Sequence, residues 1–199
     1  MNQMPVLPPT RIMVLCSGNQ CRSPMVQALF LRRLVTLNAT AAVRSAGMLQ
    51  AGVPPPPEVV STMAGYGLDV TQHRSRLVTA EDLAQADLIL GMAREHVRHA
   101  VVTAPPSWPR AFTLKELLRR GHETGPRMPG EPLADWLARV HQGRTHAALL
   151  GDSPLDDVAD PAGGPPQGYA VTAALLDELV ARLVELGWGL PADRLSGGP

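Results

Sequence analysis

An α/β fold, with a parallel sheet covered by helices on both faces, is predicted by three features of this 199-residue chain. Short apolar runs alternate with segments whose apolar residues recur every three or four positions, the pattern of strands joined through crossover helices. The first junction, from Ile12 to Leu34, passes from strand to helix through a tight loop that contains Gly18-Asn19. The second half closes on a long helical stripe, Ala173, Leu176, Leu179, Val180, Leu183 and Leu186, which reads as core packing. A chain of this length suits one domain with a substantial core.

The elements follow in order. Residues 11–15 form a short apolar run of strand type, and Met25, Val26, Leu29, Phe30 and Leu34 place an apolar stripe on a helix over 24–36. Ser23 suits the N-cap of that helix, and Pro24 its first position, where a missing N–H costs nothing. Further strands are expected at 42–46, 86–91 and 109–113, which makes a four-stranded sheet. Helices are expected at 57–66, 80–85, 93–102, 114–120 and 168–187. Pro105, Pro106 and Pro109 bracket a loop before the fourth strand. The segment 121–151 interrupts this rhythm: Gly121 to Pro132 reads as loop, and Leu133 to Ala148 as an inserted helix carrying Leu133, Trp136, Leu137 and Val140. Such an insertion would wall a substrate or cap the fold. The domain therefore spans 11–188, between a flexible segment at 1–10 and a tail at 189–199.

Composition narrows the function. Lys plus Arg and Asp plus Glu number 18 each, so no basic face is implied and nucleic acid is excluded as an expected partner. All the basic side chains but Lys115 are arginines. No apolar run approaches the ~18 residues of a membrane span, and Met1 to Thr10 lacks the pattern of a signal peptide, which points to the cytoplasm and away from a membrane. Both cysteines lie in the first loop, so neither can staple the fold elsewhere. His96 and His99, three apart on a helix with no thiol or carboxylate cluster beside them, read as a solvated face and not as metal ligands.

The chemistry concentrates in Cys16-Ser17-Gly18-Asn19-Gln20-Cys21-Arg22-Ser23-Pro24. A loop between a strand and a helix N-terminus turns its N–H groups and the positive end of the helix dipole into one concavity, which suits a dianion. The same field favours a thiolate: a cysteine so placed beside a cation drops from about 8.5 to a pKa of roughly 3.5–7.5, so Cys16 is the expected nucleophile. Arg22 offers a planar fork for two phosphoryl oxygens. Gly18 is expected to supply a positive φ or a close backbone approach, and Asn19 to tie the loop together. Ser23 has a second role open to it, donating its hydroxyl to the departing Cys16 sulfur. Cys16 and Cys21 are near enough in a curled loop to form a disulfide under oxidant, which would protect the nucleophile.

These residues resemble the signature of the low-molecular-weight protein tyrosine phosphatases, whose fold also includes thioredoxin-coupled arsenate reductases and bacterial protein-arginine phosphatases. Arg44-Ser45-Ala46-Gly47, Gly67-Leu68-Asp69-Val70 with His73-Arg74-Ser75-Arg76, and Ala86 to Met92 resemble later segments of the family. The likeness runs over roughly 11–118 and resumes from Asp157 to about Gly187. It implies the phosphotyrosine phosphatase I fold, which is flavodoxin-like, and a phosphatase working through a phosphocysteine, without cofactor or metal, on phosphoprotein or a small phosphomonoester. Asp160-Pro161 resembles the motif whose carboxyl protonates the leaving oxygen, and the following proline favours Asp160 over Asp152, Asp156 and Asp157. The resemblance further implies that Asn19, Ser23, Ser45 and His73 form a network holding the phosphate-binding loop of Ser17, Gly18, Asn19, Gln20, Cys21 and Ser23. Gln20 departs from the aliphatic residue of tyrosine-specific members and from the threonine of arginine phosphatases. Ala162 and Gly163 stand where an aromatic pair commonly flanks a phenyl ring. Phosphotyrosine is the expected substrate, with a tyrosine kinase system as a candidate partner. Phosphoarginine, arsenate reduction and phosphate-binding regulation without turnover are the alternatives.

Overall fold

The computed structural model describes residues 9–37, 39 and 41–189. The expected flexible segment at 1–10 and the tail at 189–199 lie outside the described residues except for Pro9, Thr10 and Gly189. Four strands, β1 (Thr10–Leu15), β2 (Ala41–Ala46), β3 (Leu88–Gly91) and β4 (Ala111–Thr113), form a sheet of order β2-β1-β3-β4. Every pairing is parallel, with Val14 opposite Ser45 and Leu90. Among the described residues, seven α-helices cover it: α1 (Arg22–Thr36), α2 (Pro57–Gly65), α3 (Ala80–Gln85), α4 (Arg94–Thr103), α5 (Leu114–Thr124), α6 (Leu133–His141) and α7 (Pro166–Trp188).

The two-residue period of the strands divides the core. Ile12, Val14, Leu88, Leu90 and Phe112 face α1 and α7, whereas Met13, Leu15, Ile89 and Ala111 face Leu83 of α3 and Val97 of α4. Both faces are thus dry, as parallel sheets require. The carboxyl ends of β1 and β2 lie together, and the loop after β1 packs on the end of β2. At Gly47 a Cβ would sit 2.8 Å from the Ser17 carbonyl oxygen and 2.9 Å from the Asn19 nitrogen, so no larger residue fits there unless the loop shifts.

Three expectations are corrected. The strand expected at 109–113 begins only at Ala111, because Pro105–Arg110 forms a 3₁₀ turn in which Pro109 has no N–H for a ladder. α1 starts at Arg22, one residue before the expected N-cap, and has no side-chain cap; the Ser23 hydroxyl is used elsewhere. The inserted helix expected to reach Ala148 ends at His141, followed by a 3₁₀ turn at His146–Leu149. Gly143 takes a φ of 75° there, turning the chain so that Arg144 enters the core.

Arg144 anchors the insertion. Its guanidinium carbon lies 3.9 Å from the ring centroids of both Trp108 and Phe112, and its Nε and Nη2 donate to the Glu116 carboxylate at 2.7 and 3.0 Å. The two side chains are only 1% and 8% exposed. Breaking such a pair leaves a buried charge without its partner, so Arg144→Ala should lower the unfolding free energy by about 3–5 kcal/mol. Urea midpoints test this; a change below about 1 kcal/mol would place the anchor elsewhere. Gly47→Ala should cost about 1–3 kcal/mol by overpacking, with amide shift changes concentrated at Ser17 to Asn19; shifts confined to β2 would contradict the contact.

Candidate active site

The loop from Cys16 to Cys21 joins β1 to α1 at the carboxyl edge of the sheet, where open α/β folds bind ligands. Cys16 is 2% exposed, and its N–H donates to the Ala46 carbonyl at 3.3 Å. Its sulfur accepts the Asn19 N–H at 3.2 Å and lies 3.0 Å from Ser23 Oγ. Asn19 Nδ2 already donates to Ser23 Oγ at 2.9 Å, which leaves the serine hydroxyl proton free to point at the sulfur.

Asn19 is the centre of the loop. It is fully buried with a φ of 52°, and it is the positive-φ residue of this loop. Gly18, expected to need such freedom, has neither a positive φ nor crowding; a Cβ there would meet only the Gln20 side chain, at 3.5 Å. Besides Ser23, Asn19 Nδ2 donates to Ser45 Oγ at 2.9 Å, and Oδ1 accepts the Arg76 N–H at 3.0 Å. His73 Nε2 lies 2.7 Å from the Asn19 carbonyl oxygen; a carbonyl only accepts, so this nitrogen carries the ring proton. Asn19, Ser23, Ser45 and His73 are therefore brought together.

Arg22 is 4% exposed. Nη1 donates to the Val158 carbonyl at 3.0 Å, and Nη2 donates to Ser17 Oγ at 3.3 Å and to the Asp160 carboxylate. Its Nε is buried without a partner. Among the described residues, the N–H groups of Gly18, Gln20, Cys21 and Arg22 donate to no other group of the chain. The loop thus holds a set of unspent donors beside a sulfur and a cation, an arrangement fit for a tetrahedral oxyanion.

Of the four nearby carboxylates, Asp160 is the one bonded to Arg22. Asp156 is tied to Arg94 and Arg119, and Asp157 accepts the N–H groups of Arg94 and Ser153 at 2.7 Å each. Asp152 is exposed. Cys21 is buried, and desolvation, with the Asp160 and Cys16 charges adding to it, pushes its thiol up to about 12. It stays protonated beside Cys16.

Three site residues were not found by sequence reasoning, and a fourth was misread. Gln27 accepts the Ser45 hydroxyl at 2.6 Å; Arg76 donates its Nε to the Ser45 carbonyl at 3.0 Å and pairs with Asp82. Lys115 Nζ donates to the Pro154 and Asp157 carbonyls at 3.0 and 2.7 Å, holding the segment that leads to Asp160. His96, expected on a solvated face, is wholly buried: helix α4 begins at Arg94, and this turn faces the loop with Ser17. His99 is half-buried. Among the described residues, no group of three His, Cys, Asp or Glu is placed to hold a metal ion, and no helix is long and apolar enough to cross a membrane.

The family model for low molecular weight phosphotyrosine protein phosphatase matches residues 11–125. A probable low molecular weight protein-tyrosine-phosphatase, EpsP, of Ralstonia solanacearum is 34% identical over 133 residues, covering 66% of this chain and 89% of that protein. A protein-arginine-phosphatase of Geobacillus stearothermophilus is 27% identical over 179 residues, covering 89% and 95%. Among solved structures, a low molecular weight protein tyrosine phosphatase from T. tengcongensis superposes with a TM-score of 0.67 at 30% identity, over 88% of this chain and 98% of that one. The YwlE arginine phosphatase from Geobacillus stearothermophilus superposes with a TM-score of 0.66 at 26% identity, over 96% and 99%. With the loop geometry above, these matches carry one conclusion: the chain belongs to the low molecular weight phosphotyrosine protein phosphatase family and is a cysteine-dependent phosphatase.

Proposed function

We propose that the chain dephosphorylates phosphotyrosine on protein, through a phosphocysteine on Cys16, and that a tyrosine kinase system supplies its substrates. The observation that carries this reading is the meeting of the Cys16 sulfur, the Arg22 guanidinium and the unspent loop N–H groups in one concavity, with the Asp160 carboxylate on Arg22.

The Cys16 thiolate attacks phosphorus opposite the leaving oxygen, forming the S–P bond as the P–O bond breaks. Arg22 and the loop amides hold the three equatorial oxygens, and the Nε–H that has no partner in the chain gains one. Asp160, exposed enough to accept a proton and swing from Arg22, protonates the departing phenolate. Water, deprotonated by Asp160, then attacks phosphorus, and the sulfur leaves as a thiolate stabilised by the Ser23 hydroxyl and the Asn19 N–H. Arsenate reduction is disfavoured, because Cys21 is the one other thiol and burial keeps it protonated.

A second reading, phosphoarginine, has its own support. Gln20 places an amide where an aliphatic contact would favour a phenyl ring, Ala162 and Gly163 offer no aromatic wall, and the arginine phosphatase aligns with 89% of the chain. Peptides carrying each phospho-residue decide between them: the first reading expects the higher kcat/KM on phosphotyrosine, and a higher value on phosphoarginine replaces it with the second.

The mechanism predicts that Cys16→Ser abolishes turnover. Asp160→Ala should reduce kcat on phosphotyrosine by about 100-fold or more, and on p-nitrophenyl phosphate by less, since the better leaving group needs less protonation. Equal losses on the two substrates would assign the acid to another carboxylate.

A further inference from the structure

His96 is buried 0% exposed beside the phosphate loop, and nothing in the two-step mechanism uses it. Its tautomer is fixed by the backbone. The Ala93 N–H donates to Nδ1 at 2.8 Å, so Nδ1 carries no proton and the proton of the neutral ring sits on Nε2. Nε2 lies 3.1 Å from Ser17 Oγ and 3.3 Å from Glu95 Oε1, so the hydroxyl is the nearer of two acceptors for its proton. That hydroxyl therefore accepts from the imidazole, and it also accepts Nη2–H of Arg22 at 3.3 Å. Its own proton goes to Glu95 Oε1, 3.2 Å away. Two acceptances and one donation leave the hydroxyl a single orientation. Burial, with the Arg22 charge second, pushes the imidazole down to about 3, so the ring remains a neutral donor throughout the range in which a phosphatase is assayed.

We propose that His96 is a positioning residue of the phosphate site: through its Nε2–H it locks the Ser17 hydroxyl, and the locked hydroxyl aligns Arg22 Nη2 for a phosphoryl oxygen. The inference rests on the assignment of Arg22 as the phosphate-binding cation. Arginine side chains lose much of their binding advantage when the fork is free to rotate, and Arg22 has just two neutral anchors, the Val158 carbonyl and this hydroxyl. The Asp160 contact is not an anchor, since the proposed acid must leave it.

The test separates the two jobs of the ring. In His96→Asn the shorter amide can still accept the Ala93 N–H through its oxygen but cannot reach Ser17. This variant should still fold, with a urea midpoint lowered by the small cavity and the unpaired amide N–H it leaves, while raising the inhibition constant of inorganic phosphate roughly tenfold, with a matching fall in kcat/KM. Ser17→Ala should show the same change, and the double variant should be no worse than Ser17→Ala alone, because both remove one chain of bonds. Additive effects, or unchanged phosphate affinity in His96→Asn, overturn the proposal. Arg22→Lys is the control for the underlying reading: if it leaves phosphate affinity intact, the site assignment fails, and if it alone weakens phosphate, the positioning role fails. Ring-nitrogen NMR of the unaltered protein gives a readout independent of how the variants fold. It should report a bare Nδ1 and a protonated Nε2 for His96, with the Nε2–H signal moving as phosphate is added. A proton on Nδ1, or a signal indifferent to phosphate, also overturns it.

Discussion

The shape of the whole site depends on one buried amide held in a left-handed conformation. Asn19 at a φ of 52° pays a conformational cost that an L-residue seldom meets, yet no polar atom of it is idle. Its backbone N–H reaches the sulfur, its carbonyl meets His73, and its side chain joins Ser23, Ser45 and Arg76. Those partners come from α1, from β2 and from the segment after α2, so the loop is curled from three directions. Because the curl turns backbone donors inward, the strain at Asn19 and the supply of N–H groups for an anion are two sides of one geometry. Gly47 completes it by omission, since only a residue without a Cβ lets the loop lie on the end of β2.

Charge is distributed sparingly around this loop. Arg22 is nearly buried, its anchors are neutral oxygens, and the carboxylate that touches it is partly open to water. The neighbouring titratable groups are kept neutral by burial: Cys21, whose thiolate would compete for the cation, is held as a thiol, and His96, whose imidazolium would repel it, as a neutral ring, in each case with desolvation as the first cause. Of the other acids of the Asp152–Asp160 segment, Asp156 is committed to two arginines and Asp157 to two backbone N–H groups, while Asp152 is exposed. A phosphoryl group entering the loop would therefore meet one cation, Arg22, and would have to displace one movable carboxylate from it.

How much of this was legible in the sequence follows from the range of each interaction. The strand–loop–helix unit and the β1, β2 and β3 positions could be read locally, because apolar period, loop residues and the Cys-to-Arg spacing all lie within about 25 residues. The long stripe of α7 was legible for the same reason. Arg76, Gln27 and Lys115 carry no local signal; an arginine, a glutamine or a lysine becomes a loop support only when the fold brings Asn19, Ser45 or Asp157 to it. His96 was misread because helical spacing describes which residues share a face, not what that face meets. Of the two roles expected of Ser23, the N-cap fails for an instructive reason: the hydroxyl satisfies the rules for a cap, but the sulfur expected as its second partner and a buried amide take it instead. The apolar period of Leu133 to Val140 is kept within α6, but the end of the inserted helix is set beyond it by Gly143 and by the slot between Trp108 and Phe112 that takes Arg144, a tertiary feature with no local signal.

The first turn of α4 links the two halves of the site. From it, His96 reaches Ser17 and through Ser17 the Nη2 of Arg22. From the same turn, the Arg94 N–H holds Asp157, while the Met92 carbonyl just before it accepts the Val158 N–H at 2.7 Å. Val158 in turn offers its carbonyl to Nη1 of Arg22. Both terminal nitrogens of one guanidinium are thus set from a single stretch of five residues, Met92 to His96, by two separate chains of hydrogen bonds. Two rigid anchors on two nitrogens fix the plane of the fork, whereas one would leave it a rotation. The second chain also passes through the segment that carries Asp160, so the carboxylate and the cation share a common frame. The α4 terminus and Lys115 of α5 hold the backbone that leads to Asp160, and the same α4 terminus sets both nitrogens of Arg22, so the proposed acid departs from and returns to a fork whose position is fixed by the frame that carries it.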